Sequence, residues 1–411
     1  MSHVFRPLAL AALAVLSVSA SLPAAPPPGG PPSSNVTIVS EAANRFAFNL
    51  YGQLKSEAGN LFFSPLSIQT ALAMTCCGAR GETGRQMVSV MGFREDRPIR
   101  PEWMAAACGE FLAALRGDGK PRAYELSAAN ALWGQKGHGF LPAYLGFLRK
   151  NYGAGLREVD FAADTEGSRR TINAWVEKET RDRIKDLIPP GLLQPLTRLV
   201  LVNAIYFKGD WVFAFKKSET KDGDFFAAGG QKARVPMMHQ TEHFGYLDGD
   251  EFQALEMPYK GGALSMVILL PKKKDGLAAF EKTLSAEKVA EWLAKLARRE
   301  VWVTVPKFKT TAQFMLADTL KRMGMTDAFD GGKADFSGMD GKRDLFISAV
   351  IHKAFVDVNE EGTEAAAATA IVGTFGGGPP SFYADHPFLF LIRERKSGCI
   401  LFMGRLANPK E

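Results

Sequence analysis

The chain has 411 residues, 46% of them hydrophobic and 23% charged, which is a globular composition and not that of a disordered or fibrous chain. Its 50 Lys and Arg against 44 Asp and Glu leave +6, a small excess for this length. No basic stripe with interleaved aromatics accompanies it, so no nucleic-acid partner is expected.

In chain order, Arg6 precedes an apolar run from Leu8 to Val18, with small residues at Val18 and Ala20. That is the order of a secretory signal and is too short for a membrane span, so residues 1–20 read as a signal peptide. Residues 21–35 are rich in Pro and Gly and read as a disordered spacer. No other segment is apolar enough to cross a bilayer, so an exported, soluble monomer without membrane contact is expected. Residues 36–411 carry no linker and are read as one domain.

Helices come first. Glu41–Glu57 has apolar residues at helical spacing, and Ser64–Gly81 opens on a serine cap and closes on glycine. Asn173–Ile188 reads as a further amphipathic helix stopped by Pro189–Pro190. Strands follow. Thr197–Phe207 is a continuous apolar run, as expected for a strand buried on both faces. Ala263–Pro271, Arg299–Phe308, Leu345–Val358, Pro387–Glu394 and Cys399–Ala407 are strand-like as well. Helices before strands, with no βαβ alternation, predict an α+β fold with large antiparallel or mixed sheets. Four cysteines are too few for a disulfide framework, so Cys76, Cys77, Cys108 and Cys399 are expected to be buried thiols, with at most one disulfide among them.

Catalytic motifs are absent. No nucleophile elbow, phosphate loop or zinc-type helix appears. His239 and His243 stand four apart in an extended segment without acidic or cysteine ligands nearby, so no metal site is assigned. Asp248–Glu251 is too short for a calcium loop. Gly376–Gly378 has no lysine or serine follow-up for phosphate. His352 lies on an apolar strand and reads as a satisfied core group. No enzyme and no cofactor are expected.

One stretch resists a plain reading. "EEGTEAAAATA" (Glu360–Ala370) favours helix by propensity, yet it has no apolar stripe with which to dock. "IVGTFGGGPPS" follows directly. Together with its flanks this stretch resembles the serpins, a family of serine protease inhibitors. The resemblance runs in order through "NLFFSPLSIQTALAMTCCGARGET" (Asn60–Thr83), "LVLVNAIYFKGDW" (Leu199–Trp211), "ALEMPYKGGALSMVILLP" (Ala254–Pro271) and "VPKFK" (Val305–Lys309). It continues through "LKRMGMTDAFDGGKADFSGM" (Leu320–Met339), "ISAVIHKAFVDVNEEGTEAAAATA" (Ile347–Ala370) and "ADHPFLFLIRERKSGCILFMGRLANP" (Ala384–Pro409).

The resemblance implies a single serpin domain of about nine helices around three β-sheets, with an exposed reactive loop. Glu360, Gly362 and Thr363 match the hinge of that loop. After cleavage the loop would enter the main sheet as a strand. Thr363 to Phe375, if extended, spans about 40 Å. Strand alternation turns Thr363, Ala365, Ala367 and Thr369 to one side, all small and uncharged, while Glu364 points outward. Ser64, Ser67, Asn203 and His352 match the polar cluster where serpin strands part, and Trp211 matches the tryptophan where insertion begins.

The reactive bond falls at Gly376–Gly377 by the common spacing, or at Phe375–Gly376 with a hinge one residue shorter. Phe375 is the favoured specificity residue, since it suits a chymotrypsin-type pocket and glycine is a poor anchor; Thr374 makes elastase-like targets a lesser option. The implied partner is a target serine protease held in a covalent complex. A non-inhibitory binding or carrier protein of the same fold is the alternative.

Overall fold

The computed structural model describes residues 34–94, 99–116, 124–153, 155–361 and 378–410. The signal peptide and residues 21–33 of the spacer lie outside them. In order come α1 (Ser34–Leu54), β1 (Leu61–Phe63), α2 (Pro65–Cys76), α3 (Gly81–Val90), α4 (Pro101–Arg116) and β2 (Tyr124–Gln135). Then follow α5 (Pro142–Tyr152), β3 (Leu156–Val159), α6 (Thr165–Glu179), β4 (Leu199–Gly209), β5 (Lys221–Phe226), β6 (Lys232–Asp248), β7 (Phe252–Pro258) and β8 (Leu264–Pro271). The remainder is α7 (Leu277–Phe280), α8 (Ala286–Ala294), β9 (Ala297–Pro306), β10 (Phe308–Met315), α9 (Ala317–Arg322), α10 (Ser337–Asp340), β11 (Ile347–Val358), β12 (Ser381–Tyr383), β13 (Phe388–Glu394) and β14 (Ile400–Leu406).

The α+β architecture matches the expectation, with ten α-helices among the described residues, α7 and α10 being single turns. Hydrogen bonding joins the strands into two sheets where three were expected. The reason is β6, a 17-residue strand that pairs with β5 and β9 along most of its length and with β7 at its end, so two sheets become one continuous ladder.

The smaller sheet has the order β10-β11-β4-β2-β3. At its middle, β4 and β11 run parallel, with Asn203 opposite His352 and Phe207 opposite Val356. Every residue of β4 from Leu199 to Phe207 is buried. Leu199, Leu201, Ile205 and Phe207 join the main core, whereas Val200, Val202 and Ala204 join a second core with Ile172 and Val176 of α6 and with Ile184 and Leu187 beyond it. Burial on both faces is what the continuous apolar run signals.

The helix expected over Asn173–Ile188 is displaced. α6 opens at Thr165 on an Asp164 cap and ends at Glu179. Beyond it, Arg181, Asp182 and Asp186 adopt left-handed φ of 50°, 60° and 48°. Tertiary packing overrides helical periodicity here: Ile184, Leu187 and Ile188 turn onto the sheet, and Asn173 secures Ile188 through its N–H and C=O at 2.8 and 3.0 Å. Two bonds fasten this crossing segment to the sheet, from Lys353 Nζ to the Lys185 carbonyl (2.8 Å) and from Gln313 Nε2 to the Leu187 carbonyl (3.1 Å).

Other boundaries shift less. α1 begins at Ser34, two residues inside the assigned spacer, because Val36 and Val39 continue the apolar spacing into the core. The run Arg299–Phe308 divides at Lys307 into β9 and β10, which belong to different sheets. All four cysteines are free and buried, and burial pushes the Cys77 and Cys108 thiols up to about 12, so they stay protonated.

Candidate functional site

α2 begins where Ser64 accepts the Ser67 N–H at 3.2 Å and Pro65 takes the first helical turn. Its first turn is buried against the middle of the β4–β11 pair. There Asn130 of β2, Asn203 of β4 and His352 of β11 stand side by side in register. Their side chains and two serines form one chain of hydrogen bonds. The Ser64 N–H donates to His352 Nε2 at 3.1 Å, so that nitrogen is the acceptor and the ring proton sits on Nδ1, which donates to Asn203 Oδ1. Asn203 Nδ2 donates to Ser67 Oγ (2.7 Å) and to Asn130 Oδ1 (2.6 Å). The Ser67 hydroxyl donates to Asn130 Oδ1 at 2.9 Å, and the Ser64 hydroxyl to the Leu401 carbonyl at 2.6 Å.

His352 has no exposed surface, and burial pushes its pKa down to about 3. It is neutral at ordinary pH. A second ring proton would face the Ser64 N–H donor. The cluster therefore joins β4 to β11 by a side-chain bond between neutral groups, and parting the strands breaks the Asn203–His352 contact.

A second fastening lies where β4 and β11 end. Trp211 is buried, stacks on Tyr259 at 4.4 Å between centroids, and donates its indole N–H to the Asn359 carbonyl at 3.0 Å. Next to Asn359, Glu360 is 2.8 Å from Lys307 Nζ, and Glu361 is 2.8 Å from Lys217 Nζ. Burial opposes ionisation of Glu360, but the Lys307 ammonium and backbone bonding outweigh it and hold the carboxyl below the usual glutamate range.

The structure thus brings Ser64, Ser67, Asn203 and His352 together, and it separates them from the strand ends, where Trp211 bonds to Asn359 and Glu360 pairs with Lys307. Gly362, Thr363, Ala365, Ala367, Thr369, Phe375, Gly376 and Gly377 lie outside the described residues. Sequence reasoning missed Asn130, Lys307 and Asn359. Asn130 sits in "LSAANALW", whose alanines, serine and single asparagine carry no strand signal. His239 lies on β6 with its Nδ1 2.8 Å from Thr304 Oγ1.

No helix among the described residues is long and apolar enough to cross a membrane. The family model described as "Serpin (serine protease inhibitor)" matches residues 41–409. Human Serpin B3 is 44% identical over 391 residues, covering 90% of this chain and 99% of the relative. Human leukocyte elastase inhibitor is 43% identical over 385 residues, with the same coverage. Among solved structures, uncleaved ovalbumin superposes with a TM-score of 0.80 at 30% identity, covering 90% of this chain and all of ovalbumin. Human thyroxine-binding globulin in its hormone complex gives 0.82 at 32% identity, covering 92% and 100%. A family match over nearly the whole chain, with relatives above 40% identity along their full length, establishes that this chain belongs to the serpin family.

Proposed function

We propose that the protein is an exported inhibitor of serine endopeptidases that acts as a suicide substrate. The observation that carries this reading is the parallel β4–β11 pair, followed in sequence from β11 by the small-residue run Thr363–Ala370. A segment turning back after β11 runs antiparallel to β11 and to β4, so it pairs with both once they separate. Thr363, Ala365, Ala367 and Thr369 enter without overpacking.

The protease's own serine attacks the reactive bond, at Phe375–Gly376 or Gly376–Gly377, and forms an acyl-enzyme. The freed loop then inserts and carries the tethered protease with it. About a dozen backbone pairings at roughly 1 kcal/mol each supply on the order of 10 kcal/mol. Ordering the loop costs about 1–2 kcal/mol per residue, a similar sum. Side-chain burial and release of strain in the uncleaved fold supply the surplus, which distorts the protease. Losing one oxyanion-hole donor alone removes roughly 3–4 kcal/mol of transition-state stabilisation, so deacylation stalls. Ser64, Ser67, Asn203 and His352 hold the strands closed until then, while Trp211 and Glu360 mark the point of entry.

Mixing the protein with chymotrypsin or elastase is expected to give a complex that survives boiling in detergent. Release of only a cleaved product from every member of a broad serine-protease panel overturns the reading. Mass spectrometry of the freed C-terminal peptide distinguishes Phe375 from Gly376 as the cleavage point. Thr363→Arg is expected to turn inhibitor into substrate, since a buried unpaired charge opposes insertion.

The reading as a binding or carrier protein has support from the likeness to thyroxine-binding globulin, solved with its hormone. It predicts cleavage without trapping. Export rests on Arg6 and the apolar run Leu8–Val18; N-terminal sequencing of the extracytoplasmic protein is expected to begin after residue 20.

A further inference from the structure

Three ligand-type side chains that no sequence spacing associates converge at the Leu199 end of the five-stranded sheet, away from Trp211. His138 lies in the turn between β2 and α5, Asp340 closes α10, and Asp344 stands just before β11. His138 Nε2 is 2.6 Å from Asp340 Oδ2 and 3.7 Å from Asp344 Oδ1. One donor atom from each residue lies within 4.8 Å of the other two, and no other trio of His, Cys, Asp or Glu among the described residues is grouped in this way. Donors around a tetrahedral zinc ion stand roughly 3.3 Å apart, given bonds of about 2.0–2.1 Å. Admitting an ion therefore widens the first separation by about 0.7 Å and closes the second by about 0.4 Å.

The frame is already rigid. The Leu141 N–H donates to the Met339 carbonyl at 2.7 Å, which ties the His138 turn to α10. Asp340 Oδ1 accepts the Lys342 N–H at 2.8 Å and leaves Oδ2 directed at His138. The Phe140 ring lies against the His138 ring, with centroids 5.3 Å apart. The Asp340 side chain has no exposed surface, whereas that of Asp344 is 62% exposed. A fully buried carboxylate needs a cation or a metal to offset its desolvation. The nearest arginine in sequence, Arg343, is engaged with Asp335 at 2.7 Å, which leaves the imidazole of His138 as Asp340's side-chain partner.

We propose that His138, Asp340 and Asp344 bind a divalent transition-metal ion, with Zn2+ as the best fit. Imidazole nitrogen with two carboxylates suits zinc, whereas calcium takes six to eight oxygens. Asp344 closes from the solvent side onto a ligand pair that is already in place. The ion joins the end of β2 to the segment leading into β11. Those two strands flank β4, so the ion spans the β4–β11 seam and fastens the uninserted sheet at its base.

The test is equilibrium dialysis of the EDTA-stripped full chain against Zn2+, followed by thermal melting with and without the metal. One equivalent is expected to bind, with a melting temperature that rises with Zn2+ concentration. Asp344→Asn, an exposed change that spares folding, is expected to weaken uptake at least about tenfold. His138→Gln is expected to weaken it further, while His243→Ala leaves it unchanged. Absence of saturable uptake overturns the proposal, as does full uptake by the Asp344→Asn protein. Displacement of Zn2+ by equimolar Ca2+ overturns the assignment of His138 as a ligand.

Discussion

At the middle of the β4–β11 seam, the groups that join the strands, Asn203 and His352, are neutral and buried. Where the strands end, the buried Trp211–Asn359 bond is flanked by ion pairs whose lysines are exposed, Lys217 by 70% and Lys307 by 39%. Buried neutral networks are costly to break, because each orphaned donor or acceptor carries its full desolvation penalty. Half-solvated ion pairs are inexpensive to part and are screened by salt. If the segment after β11 inserts as proposed, it would meet the weak fastening first and the strong one second. The seam is easy to enter and hard to open by chance.

The strongest way to break this contrast is Asn203→Ala, which strands the His352 Nδ1–H and withdraws a donor from Ser67 and Asn130. About 3 kcal/mol or more of native stability is expected to be lost, read from the denaturant midpoint of the uncleaved protein. A loss below about 1 kcal/mol would show that the cluster does not hold the seam.

Acid tests the same region. The folded pKa of His352 is depressed, so the unfolded chain takes up the proton first. Its stabilising contribution is complete above about pH 6.5, the ordinary histidine value, and drains away as pH falls toward about 3. A fall on the order of a few kcal/mol is expected across that window, and His352→Gln is expected to flatten it.

At the strand end, Trp211→Phe keeps the stack on Tyr259 and removes the bond to Asn359, for about 1 kcal/mol. Glu360→Gln leaves Lys307 half in water and is expected to cost under about 1 kcal/mol, an effect that vanishes in molar salt. A salt-insensitive loss of several kcal/mol in Glu360→Gln would erase the distinction between the two fastenings.

What the sequence disclosed followed how locally each feature is encoded. β4, β8, β13 and β14 are buried on both faces and appear as apolar runs, and α2 is marked by Ser64 and Pro65. β2 was invisible, because alanine, serine, asparagine and glycine make a poor strand alone and its conformation comes from pairing with β4. The end of α6 was misread for the opposite reason, since helical spacing continues while packing bends the chain at Arg181. Within the site, Ser64, Ser67, Asn203 and His352 were legible through resemblance. Asn130 was not, because nothing local distinguishes it from the asparagines of a loop. His138 and Asp340 lie 202 positions apart and meet only through folding.

The crossing segment after α6 has a bearing on timing. Residues 183–188 lie over β4 and β11 on the side away from α2, fastened by Lys353 and Gln313. Under the proposed insertion, the incoming strand would have to lift this strap along its path, and the strap could re-form behind it. Just before and within the strap, residues 181, 182 and 186 hold left-handed φ, a conformation that costs a non-glycine residue free energy. Under the proposed trapping mechanism, the lifetime of the strap would act as a clock running against hydrolysis of the acyl bond, and residues far from the reactive loop would help decide which of the two finishes first.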